Sequence, residues 1–150
     1  MAQVRIWIHL VWATKNRHPF MANRNQRIAL FKHIKQYAKT KNIYLDFING
    51  HSDHVHALIS LSCDQNIAQI AKLLKGESSN WANKNNIFGT DDFEWADSYY
   101  AVSVSCSQVE AVRNYIKNQE THHQKNTFEQ ECDAFISQFG FASRLGEPLA

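Results

Sequence analysis

IYLDFINGHSDHVHALISL, residues 43–61, decides the fold. Residues 43–50 and 54–61 are two runs of alternating, largely β-branched and aromatic character. The polar segment from Gly50 to Asp53 between them reads as a short turn, so the stretch predicts an antiparallel hairpin. Side chains alternate across a strand, so His54, His56, Leu58 and Ser60 share one face and Val55, Ala57, Ile59 and Leu61 the other. One face can meet a core while the other meets a ligand. Two imidazoles about 7 Å apart along a strand can converge on one divalent cation. Eight histidines in 150 residues produce a His-x-His triplet by chance roughly 0.4 times. The pair therefore needs a partner elsewhere in the chain.

Working outward, residues 4–14 alternate Val4, Ile6, Ile8, Leu10 and Trp12 against Arg5, Trp7, His9, Val11 and Ala13, the pattern of a strand covered on both faces. Residues 16–23, with Pro19, read as a loop. From about Asn25 to Lys41 the apolar set Ile28, Phe31, Ile34, Tyr37 and Ala38 recurs at helical spacing, with the bases on the other side. Beyond the hairpin, Asp64 is placed to cap a helix over residues 65–83, with Ile67, Ile70, Ala71 and Leu74 as its stripe and a middle weakened by Gly76 and Ser78-Ser79. Residues 84–97 read as an irregular connection with a short extended piece around Phe93 to Trp95, and 99–106 as a strand with Tyr100, Val102 and Val104 on one face.

Ser107-Gln108-Val109-Glu110 has the form of a capping box, which predicts a helix from Ser107 to about His123 with Val109, Val112 and Ile116 buried. A last helix, residues 127–138, carries Phe128, Cys132, Phe135 and Phe139 on one side, and the tail from Gly140 reads as loose. The order β-α-β-β-α-β predicts a single α+β domain over residues 1–150. Its expected architecture is a ferredoxin-like split βαβ unit with a four-stranded antiparallel sheet plus C-terminal helices. Two helices cover one sheet face, leaving the other for the third helix or a ligand.

Composition narrows the class. Hydrophobic content of 44% and charged content of 20% are those of a globular chain, and no apolar run is long enough to span a bilayer. The N-terminal run VRIWIHLVWA alternates like a strand and is read as folded protein, so the expected compartment is the cytoplasm. Cys63, Cys106 and Cys132 are widely spaced and odd in number, which argues against a disulfide framework and a zinc knuckle. Charge is distributed unevenly: residues 1–50 carry +8 and the remaining hundred −6, a reason to expect one surface to meet a polyanion. Arg24, Arg27, Lys32, Lys35 and Lys39 on the first helix are the candidate phosphate contacts, with a solvated basic face as the alternative.

On the helix from Ser107, Tyr115 and Gln119 stand i, i+4 and so share a face beside the apolar stripe. His122 and His123 read as solvent-facing residues at a helix end. His51 and Asp53 read as polar turn residues, with orientation of the histidine pair as the alternative. The four tryptophans, Trp7, Trp12, Trp81 and Trp95, read as core.

HVHALISL after a hairpin, LLKGESSNW on the next helix, YAVSVS on a strand and SQVEAVRNYIKNQETHHQKNTFEQE at the end together resemble the single-tyrosine HUH transposases of small bacterial insertion sequences, the IS200-like transposases. The resemblance covers about residues 1–139, and YIKNQ-x-x-HH is its most specific part. It departs at EWADSYYAVSVS, where Ser98 and Tyr100 stand at positions that usually hold glycine. The resemblance implies that His54 and His56 bind a metal with Gln119 as third protein ligand, and that Tyr115 is the nucleophile. It also implies Mg²⁺ or Mn²⁺ as cofactor, although two imidazoles by themselves suit Zn²⁺ or Mn²⁺ better. The implied partners are single-stranded DNA with hairpin ends and a second copy of the chain, the tyrosine helix acting either in cis or in trans. The implied activity is cutting and rejoining of single-stranded insertion-sequence ends through a 5′-phosphotyrosine link. Two alternatives stand beside it: a host-domesticated relative processing repeated extragenic hairpins, and a non-catalytic module that binds single-stranded nucleic acid.

Overall fold

Four strands, β1 (Ile6–Ala13), β2 (Tyr44–Gly50), β3 (His54–Leu61) and β4 (Tyr100–Val104), pair antiparallel in the order β2-β3-β1-β4. They alternate with helices α1 (Arg24–Thr40), α2 (Ile67–Lys84) and α3 (Val109–Lys117) in this computed structural model, which describes residues 2–119. The expected ferredoxin-like split βαβ arrangement is the observed one. The expected helix over 127–138, the tail from Gly140, and His122 and His123 lie outside the described residues.

One sheet face presents Leu10, Trp12, Leu45, Val55, Ala57 and Ile59 to α1 and α2, which return Leu30, Phe31, Ile34, Ala38, Ile70, Ala71, Leu74 and Ala82. This is the main core. On the other face Leu58 and Val102 meet Val109, Val112 and Ile116 of α3. The register sets three cross-strand rows on the α3 face: Asn49–His56–Val11–Tyr100, then Phe47–Leu58–His9–Val102, then Tyr44–Ser60–Trp7–Val104. Two faces, one against α1 and α2 and one against α3, thus follow from the period of two that the alternation in HVHALISL predicts.

The pairing of β2 is not a simple alternation. A register shift between Leu45 and Phe47 leaves Asp46 extra, a β-bulge. The bulge resets the facing of every later residue of β2. Phe47 and Asn49 join Tyr44 on the α3 face, while Leu45 and Ile48 pack with the main core. Gly50 ends the strand where only glycine fits, because a Cβ there would overlap the His54 carbonyl oxygen.

Several sequence expectations are corrected. The cap of α2 is Asn66, whose side chain accepts from the Gln69 amide at 2.9 Å. Asp64 is instead held by the Ser62 hydroxyl at 2.7 Å. α2 runs unbroken through Gly76, Ser78 and Ser79; both serine hydroxyls donate back to carbonyls three residues earlier, and Ser78 Oγ also accepts from Trp95 Nε1 at 2.9 Å. The capping box at Ser107 is not formed. Cys106–Gln108 is a 3₁₀ turn, and α3 begins after it without a side-chain cap. On α1, Ile28 is exposed, and its place in the core is taken by Leu30.

Candidate functional site

His54 and His56 project from the first two alternate positions of β3 and are buried. Their rings stand 5.1 Å apart at 78°. Each is held through Nδ1. His54 Nδ1 lies 2.9 Å from Asp53 Oδ1, and Arg17 Nε donates to the other oxygen of that carboxylate at 3.1 Å. Burial pushes the Asp53 carboxyl up, but the hydrogen bonds and charges of His54 and Arg17 together hold it below the usual carboxylate range. An ionised carboxylate only accepts, so the proton of that contact sits on His54 Nδ1 and the ring is oriented from behind. Asp53 itself is fixed by its carbonyl, which accepts from the Thr14 amide at 2.8 Å and the Thr14 hydroxyl at 3.2 Å. The turn residue is thus also the orienting residue, so the two readings of Asp53 are one.

His56 Nδ1 meets His9 Nε2 at 2.8 Å, and the two rings stack with centroids 5.0 Å apart. His9 comes from the middle of β1 and is 1% exposed. Read by period alone, it is one more residue of an alternating strand. The available signal was a titratable side chain in IWIHLVWA, a strand covered on both sides and otherwise free of ionisable groups.

The far end of the chain completes the cluster. Gln119 is fully buried, with Oε1 3.2 Å from His54 Nε2 and Nε2 donating to the Tyr115 carbonyl at 3.4 Å. With the His54 proton on Nδ1, Nε2 and Oε1 are two acceptors in contact. Two acceptors so placed fit a cation between or beside them. Tyr115 stands edge-on to His56 at 5.8 Å and to His9 at 6.3 Å. Among the described residues no group of three His, Cys, Asp or Glu side chains is placed to hold a metal ion. Beside His54, the Gln119 amide oxygen is a donor of another kind within contact distance. Two imidazole nitrogens and one amide oxygen form a neutral donor set that fits a borderline divalent ion such as Mn²⁺.

The expected uninterrupted helix through Tyr115 and Gln119 is not what joins them. α3 ends at Lys117, and Asn118 is its C-cap. Arg113 on α3 donates to Asp46 at the bulge (2.7 Å), and that bond to the carboxylate holds the guanidinium pKa above its ordinary value.

The candidate phosphate contacts of α1 lie elsewhere. Arg24, Lys32, Lys35 and Lys39 are exposed, Lys32, Lys35 and Lys39 following at i+3 and i+4 and Arg24 two turns before them, on the helix that packs against the opposite sheet face. Lys35 Nζ donates to the Asp46 carbonyl at 3.4 Å. Arg27 does not belong to that stripe. It is 5% exposed and donates to the carbonyls of Met21 and Ala22, both at 3.2 Å, so it ties the β1–α1 loop to its helix.

Known proteins bear on this geometry. A family model described as "Transposase IS200 like" matches residues 2–119. A crystal structure of a protein from Deinococcus radiodurans R1, provisionally called a transposase, is 26% identical with a TM-score of 0.59. That match covers 79% of this chain and 93% of the other. A REP-associated tyrosine transposase bound to a REP hairpin has a TM-score of 0.60 at 12% identity, covering 98% of this chain and 90% of the other, a likeness of fold. A search of curated proteins returned no match. No helix among the described residues is long and apolar enough to cross a membrane.

Proposed function

Because the chain belongs to the IS200-like transposase family, we propose that it is a single-stranded DNA transposase with Tyr115 as nucleophile, dependent on a divalent metal held by His54, His56 and Gln119. The observation that carries this reading is the convergence of residues from distant parts of the chain. Tyr115 lies edge-on to His56 at 5.8 Å, and Gln119 Oε1 lies 3.2 Å from His54 Nε2. When bound there, Mg²⁺ or Mn²⁺ supplies charge stabilisation to the non-bridging oxygens of a phosphodiester.

The chain's own residues do the rest. Asp53 and His9 hold the two imidazoles through Nδ1, which leaves Nε2 of each ring as the nitrogen that would donate to the metal. Tyr115 attacks phosphorus through its deprotonated phenol oxygen, the bond from phosphorus to the 3′ oxygen breaks, and that oxygen takes up a proton. The 5′ end is then joined to tyrosine as a phosphodiester, and attack by a 3′-OH reverses the step without an external energy source. A free phenol has a pKa near 10, so its ionisation has to be favoured within the site. Tyr115 stands edge-on to His56 and His9, and it serves the site of its own chain or that of a second copy. The exposed stripe Arg24, Lys32, Lys35 and Lys39 is assigned to DNA phosphates away from the cleaved bond, and a homodimer in the cytoplasm completes the reading.

The test is incubation with Mn²⁺ and single strands carrying an insertion-sequence end. Label at the 3′ end is expected to remain on the protein and label at the 5′ end to leave on a shorter fragment. Full cleavage by Tyr115→Phe sinks the mechanism. Sedimentation of a monomer at micromolar concentration removes the dimer from it.

A further inference from the structure

β2 has no part in the chemistry proposed above, yet one of its side chains reaches the segment that does. Asn49 Nδ2 donates to the carbonyls of Ile116 and Lys117, at 3.1 and 3.2 Å. These belong to the last turn of α3, where helix carbonyls have no intrahelical partner. The Tyr115 carbonyl is taken by the Gln119 side chain and by the Asn118 amide, at 3.4 and 3.3 Å. Three successive carbonyls between the tyrosine and the glutamine are therefore satisfied, two of them by Asn49.

Its position gives that bond a meaning beyond satisfaction. Asn49 is the cross-strand partner of His56. The strand pair that carries one histidine of the site also carries the hold on the helix opposite it. α3 is nine residues long, too short to be stable or fixed in place by its own hydrogen bonds. Val109, Val112 and Ile116 set how deeply it sits on Leu58 and Val102. Apolar contact is non-directional and leaves rotation and sliding to be fixed by polar contacts. Among the described residues, two polar side chains of β2 serve: Asp46 to Arg113 midway along α3, and Asn49 at the end that leads into Gln119.

We infer that Asn49 is a positioning residue: by holding the Ile116 and Lys117 carbonyls it sets where Tyr115 and Gln119 stand relative to His54 and His56. The inference rests on the function proposed above and adds to it a residue outside the donor set. Asn49→Asp keeps the shape and replaces the donor with an acceptor, and Asn49→Ala removes the side chain.

The experiment compares both variants with wild type in three measurements: amide hydrogen exchange over residues 113–119, Mn²⁺ affinity by paramagnetic resonance titration, and adduct formation at saturating labelled strand. Expected are faster exchange at 115–119, Mn²⁺ affinity weaker by about tenfold, and adduct formation slowed by about 10- to 100-fold. The strand concentration giving half-maximal rate should not move. Faster exchange with Mn²⁺ affinity and adduct rate within about twofold of wild type overturns the positioning role and leaves a helix cap only. Failure of the underlying function shows separately, as wild-type protein that forms no adduct. Exchange and Mn²⁺ affinity then decide the role of Asn49, and variants that match wild type in either measurement overturn it.

Discussion

His9 Nε2 and His56 Nδ1 lie 2.8 Å apart inside the sheet, so β1 sets the ring orientation of a histidine on β3. An imidazole that offers Nε2 to a cation carries its proton on Nδ1, and His9 is the acceptor in place for it. His9→Ala is expected to weaken Mn²⁺ affinity by about 10- to 100-fold with the protein still folded. Calorimetric titration checks this, and unchanged affinity would remove His9 from the site.

The contact between His54 Nε2 and Gln119 Oε1 predicts that metal stabilises the protein, because a cation held there would satisfy both acceptors. Mn²⁺ at about 100 times its dissociation constant should add about 2.7 kcal/mol to unfolding. In Gln119→Ala the gain should shrink. Thermal unfolding with and without EDTA reads the difference.

Gly50→Ala should damage the site through the backbone. The added Cβ would overlap the His54 carbonyl oxygen, and a backbone atom cannot step aside as a flexible side chain can. A loss of about 1–3 kcal/mol is expected, with weakened metal binding because His54 moves with its carbonyl. Urea denaturation measures the first and Mn²⁺ titration the second.

Ser78→Ala tests the packing of α2 against the segment before β4. Without the hydroxyl, the buried Trp95 indole N–H loses its acceptor at 2.9 Å, which should cost about 1–3 kcal/mol. Chemical denaturation is the check, and DNA cleavage at a temperature where the variant is folded should be unchanged.

Reversing the exposed α1 bases, in Lys32→Glu combined with Lys35→Glu and Lys39→Glu, should weaken DNA binding and flatten its salt dependence. Every phosphate that is no longer neutralised lowers the slope by about 0.7 to 0.9. Arg27→Ala should instead lower stability, since its guanidinium is engaged by the Met21 and Ala22 carbonyls. A slope unaffected by the triple reversal removes the stripe from the binding surface.

What could be read from the sequence follows from period and proximity. HVHALISL announces its two faces because alternation is enforced by strand geometry alone, and the βαβ order follows from the periods of successive segments. Tyr115 and Gln119 were legible as a pair through their spacing, although a helix end at Lys117 lies between them. His9 and Asn49 were not legible. Their roles depend on which strands become neighbours and in what register, and the order β2-β3-β1-β4 is a property of the whole sheet. The cap missed at Asn66 and the one wrongly expected at Ser107 have a local cause. Several polar residues near each helix start can compete for the same amides: Asn66 takes that role at α2, and no side chain takes it at α3.

The extra residue at Asp46 gives β2 one residue of slack: seven residues of strand make six cross-strand pairs with β3. Removing Asp46 by a single-codon deletion would leave plain alternation from Tyr44 to Gly50, with Phe47 and Asn49 still facing α3 and Ile48 still facing the main core. Arg113 would lose its carboxylate, while Asn49 would keep its place opposite His56. A one-residue insertion between Phe47 and Asn49 has no such refuge, because it would turn Asn49 toward the core. The strand that holds the tyrosine helix is therefore expected to survive shortening at one point and to fail on lengthening a few ångströms away.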